Sequence, residues 1–157
     1  RDRPRGDWPV TEDGRVRMGV DPLDVDAITD LACRRSGIPD GTTVGHVHLE
    51  VSDLTDAERF YVHTLGLDIR QRYADAALFL AAGDYHHHVG LNTWHNRREP
   101  PTGRGLRWFE LLLPDGTALE TVERRLRDAA VAVRHPDAGD GLELTDPDGI
   151  TLRLRAP

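Results

Sequence analysis

Five of the eight histidines in this 157-residue chain fall in two short runs. In the first, Val44-Gly45-His46-Val47-His48-Leu49-Glu50-Val51, polar and apolar residues alternate with the period of a half-buried strand. His46, His48 and Glu50 then share one face, and Val47, Leu49 and Val51 the other. Two imidazoles and a carboxylate spaced i, i+2, i+4 suit a metal ion, although a plain solvated sheet face would show the same alternation. The second run is Tyr85-His86-His87-His88-Val89-Gly90-Leu91-Asn92-Thr93-Trp94. Read as a strand, it sends His86, His88, Gly90 and Asn92 to the polar face and His87 to the dry side or the turn, with Gly90 leaving room for a ligand. Neutral imidazoles there would bind a metal or shuttle a proton near neutral pH. A structural hydrogen-bond cluster is the plainer alternative. His63 and His135 are expected at the surface.

These side chains need elements to hold them. Thr55-Asp56-Ala57-Glu58 reads as a capping box, Phe60, Tyr61 and Leu65 as the apolar stripe of the helix it opens, and Gly66 as its stop. Strands are predicted over 67–73, 76–82 and 86–94. After a turn-rich linker at 95–105 the order recurs: a strand at 106–113, a second box Thr117-Ala118-Leu119-Glu120, then strands at 131–135, 141–145 and 150–155 with Asp146-Pro147-Asp148-Gly149 as a hairpin turn. Thr117 follows Thr55, and Asp115 follows Asp53, by the same 62 positions, which marks an internal repeat. The predicted fold is α+β. Two paired βαβββ modules, 44–94 and 106–157, form one curved eight-stranded mixed sheet around a cleft, with helices on its outer face. Residues 1–43 read as a connector arm with one short helix over 25–35.

The second module would line the cleft with Trp108, Glu110, Glu143, Thr151, Arg153 and Arg155. Trp108 suits stacking on a flat ligand or packing at the seam. The two arginines suit a carboxylate or phenolate, or a salt bridge with Glu110 or Glu143.

Composition narrows the function classes. The formal net charge is −7, which disfavours a nucleic-acid partner. No run approaches the length of a membrane span and no secretory signal opens the chain, so a cytoplasmic protein is expected. With Cys33 the only cysteine, an internal disulfide is impossible and a metal would come through histidine and carboxylate. The chain opens on Arg1 rather than Met, as expected of part of a longer protein.

Residues 43–155 resemble the vicinal oxygen chelate superfamily of glyoxalases, bleomycin-resistance proteins and extradiol dioxygenases. The resemblance lies in the run from Gly45 to Leu54, in Phe60-Tyr61 with Leu65-Gly66-Leu67, and in Asp146-Pro147-Asp148-Gly149. The run from Gly83 to Trp94 looks like the bacterial catechol 2,3-dioxygenase-like branch, whose chains typically hold four such modules. Arg1-Asp2-Arg3-Pro4-Arg5-Gly6-Asp7-Trp8-Pro9 resembles the connector after the first pair, which implies a C-terminal half working with an upstream homologous half or as a homodimer.

The resemblance implies an oxidoreductase that cleaves the ring of a small catecholic substrate at an Fe(II) site of two histidines and one carboxylate. His46 is the matching first ligand, and His88 or its neighbour His86 the acid or base. His48, Asn92, Trp108 and Arg153 would then meet the substrate. The second histidine and the glutamate of that set fall on Trp108 and Thr151, so Fe(II) or another divalent metal would be absent or held by His46 with His86 or His88 and Glu110. Two alternatives follow from the same resemblance: a non-catalytic small-molecule-binding module of the bleomycin-resistance type, and a glyoxalase-like isomerase or lyase. Val89-Gly90 supplies no glutamate for the latter.

Overall fold

A computed structural model of the chain describes residues 4–12, 16–17, 22–32, 37–38, 40–136 and 141–157. Residues 1–3 of the connector motif, Gly14, Cys33, Pro39 and the 33–35 end of the predicted arm helix lie outside them. In the arm, a 3-10 turn at Arg5–Asp7 and a bridge between Val10 and Val16 precede α1, Val25–Ala32. Among the described residues no helix is long and apolar enough to cross a membrane.

The first module runs β1 (Val47–Glu50), α2 (Leu54–Glu58), β2 (Asp68–Tyr73), β3 (Ala77–Ala81) and β4 (Val89–Asn92). Its strands order as β1-β4-β3-β2, with β1 parallel to β4 and the other pairs antiparallel. The second runs β5 (Trp108–Leu112), α3 (Gly116–Asp128), β6 (Gly141–Thr145) and β7 (Thr151–Arg155), ordered β5-β7-β6. In place of one eight-stranded sheet, the hydrogen bonds define separate sheets of four and three strands. The strand predicted at 131–135 shrinks to one bridge, in which Arg134 and Glu143 exchange both backbone bonds at 2.8 Å.

Both helices start two residues earlier than the predicted boxes. Asp53 caps α2, accepting from the Thr55 and Asp56 amides at 2.7 and 2.9 Å, and Asp115 caps α3, accepting from Ala118 at 2.8 Å. A short carboxylate reaches the bare amides and suits the positive end of a helix better than a threonine hydroxyl does. The 62-residue repeat therefore survives in its aspartates. α2 widens into a π-helical turn over Arg59–Thr64, with consecutive Phe60 and Tyr61 both buried. Gly66, at φ +89°, stops it, and a Cβ there would strike the Arg125 guanidinium, which donates to the Leu65 carbonyl at 3.4 Å.

The apolar faces of both modules merge into one core. Leu49, Leu80 and Leu91 from the first sheet join Phe109, Leu152 and Leu154 from the second, with Leu126 of α3 fully buried among them. Two buried carboxylates close the seam. Tyr61 donates to Asp146 Oδ2 at 2.8 Å, while Asp146 Oδ1 accepts from the Asp148 and Ile150 amides at 3.0 and 2.8 Å. Asp148 accepts from the Ser52 amide at 3.1 Å and from Arg97 at 3.0 Å. Burial lifts the Asp146 carboxyl above the ordinary carboxylate range and the Tyr61 phenol well above its own, the latter helped by the Asp146 charge.

Tyr61→Phe leaves the buried Asp146 short of a donor and is expected to cost about 1–3 kcal/mol in urea unfolding. Arg59→Gln, breaking the exposed pair with Asp56, should change stability by less than about 0.5 kcal/mol. Equal effects from the two would show that the seam is not held this way.

Candidate functional site

The site is built where the start of β1 meets the loop before β4. His48 pairs in register with Gly90, and its ring lies directly over that residue. A Cβ on Gly90 would come within 2.7–2.9 Å of the His48 ring atoms, so the space expected there for a ligand is filled by the protein's own imidazole. Regular strand begins only at Val89, and residues 85–88 bend. Strand alternation therefore does not govern the second histidine run. His87, expected on the dry side or in the turn, instead joins His46 and His48, and the candidate metal-ligating nitrogens of these three lie within 4.8 Å of one another.

His87 is buried and held at both ring nitrogens by other imidazoles. Its Nε2 is 3.0 Å from His48 Nε2, and its Nδ1 is 2.8 Å from His86 Nδ1. Phe79 floors the cluster, with ring centroids 5.1 Å from His87 and 5.7 Å from His48. Burial, and then the charges of His46 and its neighbours, push the His87 imidazole down to about 3. His48 is lowered by burial and then by His46, and His88 by burial and then by His86 and Arg5. All three stay neutral, with lone pairs available, at neutral pH.

The predicted catalytic pair is placed differently. His88 Nδ1 accepts from the Ala82 amide at 3.2 Å, and its ring stacks on Tyr85 at 4.7 Å. An amide can only donate, so Nδ1 is bare and neutral His88 carries its proton on Nε2. His86 lies against Trp8 of the arm, with centroids 5.1 Å apart, and Trp8 also meets Tyr85 at 5.7 Å. The arm thus touches the histidine run, a contact that no periodicity in residues 1–43 signals.

Two cavities lie along the seam. One, about 570 Å³, is lined by Val44, His46, His88, Leu106, Phe109 and Glu110 among others. The other, about 690 Å³, is lined by His48, Glu50, Arg97, Asp148 and Thr151 among others. Glu110 stands outside the three-histidine group, 3.9 Å from the Arg155 guanidinium. Asn92, Trp108 and Arg153 line neither cavity. Asn92 is buried, its amide donating to the Leu49 carbonyl at 3.4 Å and its Oδ1 accepting from the Trp94 amide at 3.3 Å. Arg153 lies over the Trp108 ring at 4.2 Å and donates to Glu143 at 3.0 Å, which takes up both the guanidinium and one face of the indole. Hydrogen bonds from Arg134 and then Arg153 hold the Glu143 carboxyl below its usual value.

A family model described as the Glyoxalase/Bleomycin resistance protein/Dioxygenase superfamily matches residues 43–154. The chain belongs to this superfamily. A curated Bacillus subtilis protein named catechol-2,3-dioxygenase is 36% identical over 152 residues, covering 93% of the chain and 53% of that protein. The chain therefore spans about half the length of the curated relative it matches. A crystal structure of lactoylglutathione lyase from Agrobacterium tumefaciens superposes with TM-score 0.57 at 17% identity, over 75% of this chain and 96% of that one. An antibiotic-binding protein, TnmS3, from a Streptomyces species superposes with TM-score 0.52 at 25% identity, over 76% and 99%.

The iron set that the resemblance implies does not fit these residues. Trp108 and Thr151 pair with one another across β5 and β7 where the second histidine and the carboxylate would stand. An indole offers a metal no lone pair, and the Arg153 guanidinium lies over one face of Trp108.

The unfolded chain protonates its histidines near their ordinary 6.5, whereas folded His87 resists down to about 3. Stability is therefore full above 6.5 and is lost as pH falls from there toward about 3. In metal-free protein the His87 ring resonances should stay put from about pH 8 to 5 in NMR while urea stability declines. A His87 midpoint near the ordinary value would refute the buried placement.

Proposed function

We propose that the chain is the ligand-holding half of an extradiol-dioxygenase-like protein, and that it takes a small catecholic molecule at the seam between β1 and β5. The observation that carries this reading is the 570 Å³ cavity, where imidazoles and a carboxylate meet an apolar wall. The 36% identity to a protein named catechol-2,3-dioxygenase supports the choice of ligand.

A catechol has a flat apolar ring and two adjacent hydroxyls. Leu106 and Phe109 receive the ring, His88 Nε2–H donates to one oxygen, and Glu110 accepts a hydroxyl proton in a hydrogen bond. These residues bind and orient. An iron ion in this family would supply electron transfer between catecholate and O₂, and positions 108 and 151 do not hold one here.

A second reading is favoured by that same pair of positions: the cavity binds its aromatic ligand without cleaving it, as a storage or sequestering module would. Catechol titrated into the protein is expected to bind saturably by calorimetry. His88→Phe and Glu110→Ala should each weaken binding about tenfold, the equivalent of one hydrogen bond of roughly 1.4 kcal/mol. Affinity unchanged in both variants would sink the seam assignment. Oxygen consumption with catechol separates the readings: uptake supports cleavage, and binding without uptake supports sequestration.

A further inference from the structure

We propose that His46, His48 and His87 form a three-imidazole site for a divalent transition-metal ion, separate from positions 108 and 151. The geometry of the cluster carries it, independently of the identity of any organic ligand.

Around a tetrahedral ion with bonds of about 2.0 Å, neighbouring ligand nitrogens lie about 3.3 Å apart. The His48 and His87 Nε2 atoms are already 3.0 Å apart, and all three donor nitrogens fall within 4.8 Å, so ring rotations bring the set to that spacing. A second observation points the same way. Metal-bound histidines characteristically anchor their other ring nitrogen to a neighbour, which orients the ring. His87 does this through His86 at 2.8 Å on the side away from His48, leaving Nε2 to the ion.

The surroundings preserve the arrangement. Gly90 lets the His48 ring lie flat on β4, and Phe79 backs both His48 and His87. His46 and His48 are exposed and line different cavities, so an ion has a route in and positions left for further ligands. The described group contains no carboxylate and no thiolate. Imidazole alone suits Zn²⁺, Fe²⁺, Co²⁺, Ni²⁺ or Cu²⁺ and disfavours Ca²⁺ and Mg²⁺, which want oxygen. With only neutral ligands the ion keeps both charges, so it would attract an anionic oxygen donor into its open positions.

The test uses the whole chain, stripped with a chelator and titrated with Co²⁺ and Zn²⁺ alone near neutral pH. It is followed by Co²⁺ visible absorption, calorimetry and thermal stability. One equivalent should bind, with d–d bands of nitrogen ligation and a metal-dependent rise in melting temperature. His46→Gln and His48→Gln, both at exposed positions, should abolish stoichiometric uptake while the metal-free fold remains intact by circular dichroism. His86→Phe should weaken binding about 10- to 100-fold through loss of the orienting contact, and Gly90→Ala should weaken it by displacing the His48 ring. His63→Gln, on the exposed side of the π-helical turn, should change nothing. The proposal is overturned if the wild type takes up less than stoichiometric metal, if uptake survives His46→Gln and His48→Gln, or if His63→Gln removes it equally. Catechol binding is measured on metal-free wild-type protein against His88→Phe and Glu110→Ala, residues outside the three-histidine group, so the two proposals fail separately.

Discussion

The structure depends on two carboxylates that have been taken out of water. Asp146 and Asp148 are only 5% and 4% exposed, at the turn between β6 and β7. A buried carboxylate is costly unless donors surround it, and here the turn's own amides are joined by donors from outside the second module: Tyr61 for Asp146, the Ser52 amide and Arg97 of the linker for Asp148. Sliding one sheet against the other would take Tyr61 from Asp146 and the Ser52 amide from Asp148. The seam therefore has one register, and with it the two cavities have fixed walls. Ser52 lies two residues after Glu50, and Arg97 also donates to the Glu50 carbonyl. The contacts that lock the modules thus lock the end of the strand that carries His48.

From that fixed strand the histidine cluster follows by local geometry. His48 can lie on β4 only because residue 90 has no side chain, and His87 reaches it only because the chain bends before β4 begins. His87 is paired at both ring nitrogens by other imidazoles, and its burial keeps it neutral. Trp8 adds a wall from outside the repeat by packing edge-on against His86 and Tyr85.

The second module's polar face follows a different logic. Trp108, Arg153 and Glu143 form a cation-over-ring contact continued by an ion pair, with Arg134 on the far side of Glu143. These residues satisfy each other and line neither seam cavity. Trp108 and Thr151 pair on this sheet, and the three-histidine group lies on the other module. A shared fold with different site residues is what this superfamily architecture permits, because the sheets position whatever side chains the strands carry.

Much of the frame is legible in residue pattern. Alternation marks β1, the Asp146–Gly149 turn bounds β6 and β7, and glycine at 66 marks a helix end, because each depends on neighbours within a few positions; the 62-residue spacing of Asp53 and Asp115 marks the repeat because each aspartate caps its own helix. The capping boxes mislead by two residues since aspartate outcompetes threonine for the same bare amides. The strand expected at 131–135 fails because only Arg134 finds a partner, and a single bridge makes no strand. That the second histidine and the glutamate fall on Trp108 and Thr151 comes from the family resemblance rather than from residue types alone. What sequence could not specify is which histidines meet. Period-two reasoning holds only where the backbone is extended, and the bend at 85–88 turns His87 toward His46 and His48 instead of away from them. The occupation of Gly90 by His48, the clamp of Tyr61 on Asp146 and the approach of Trp8 to His86 all join residues 42 or more positions apart. Such contacts are decided by how the two sheets close on one core, and only the folded chain holds that information.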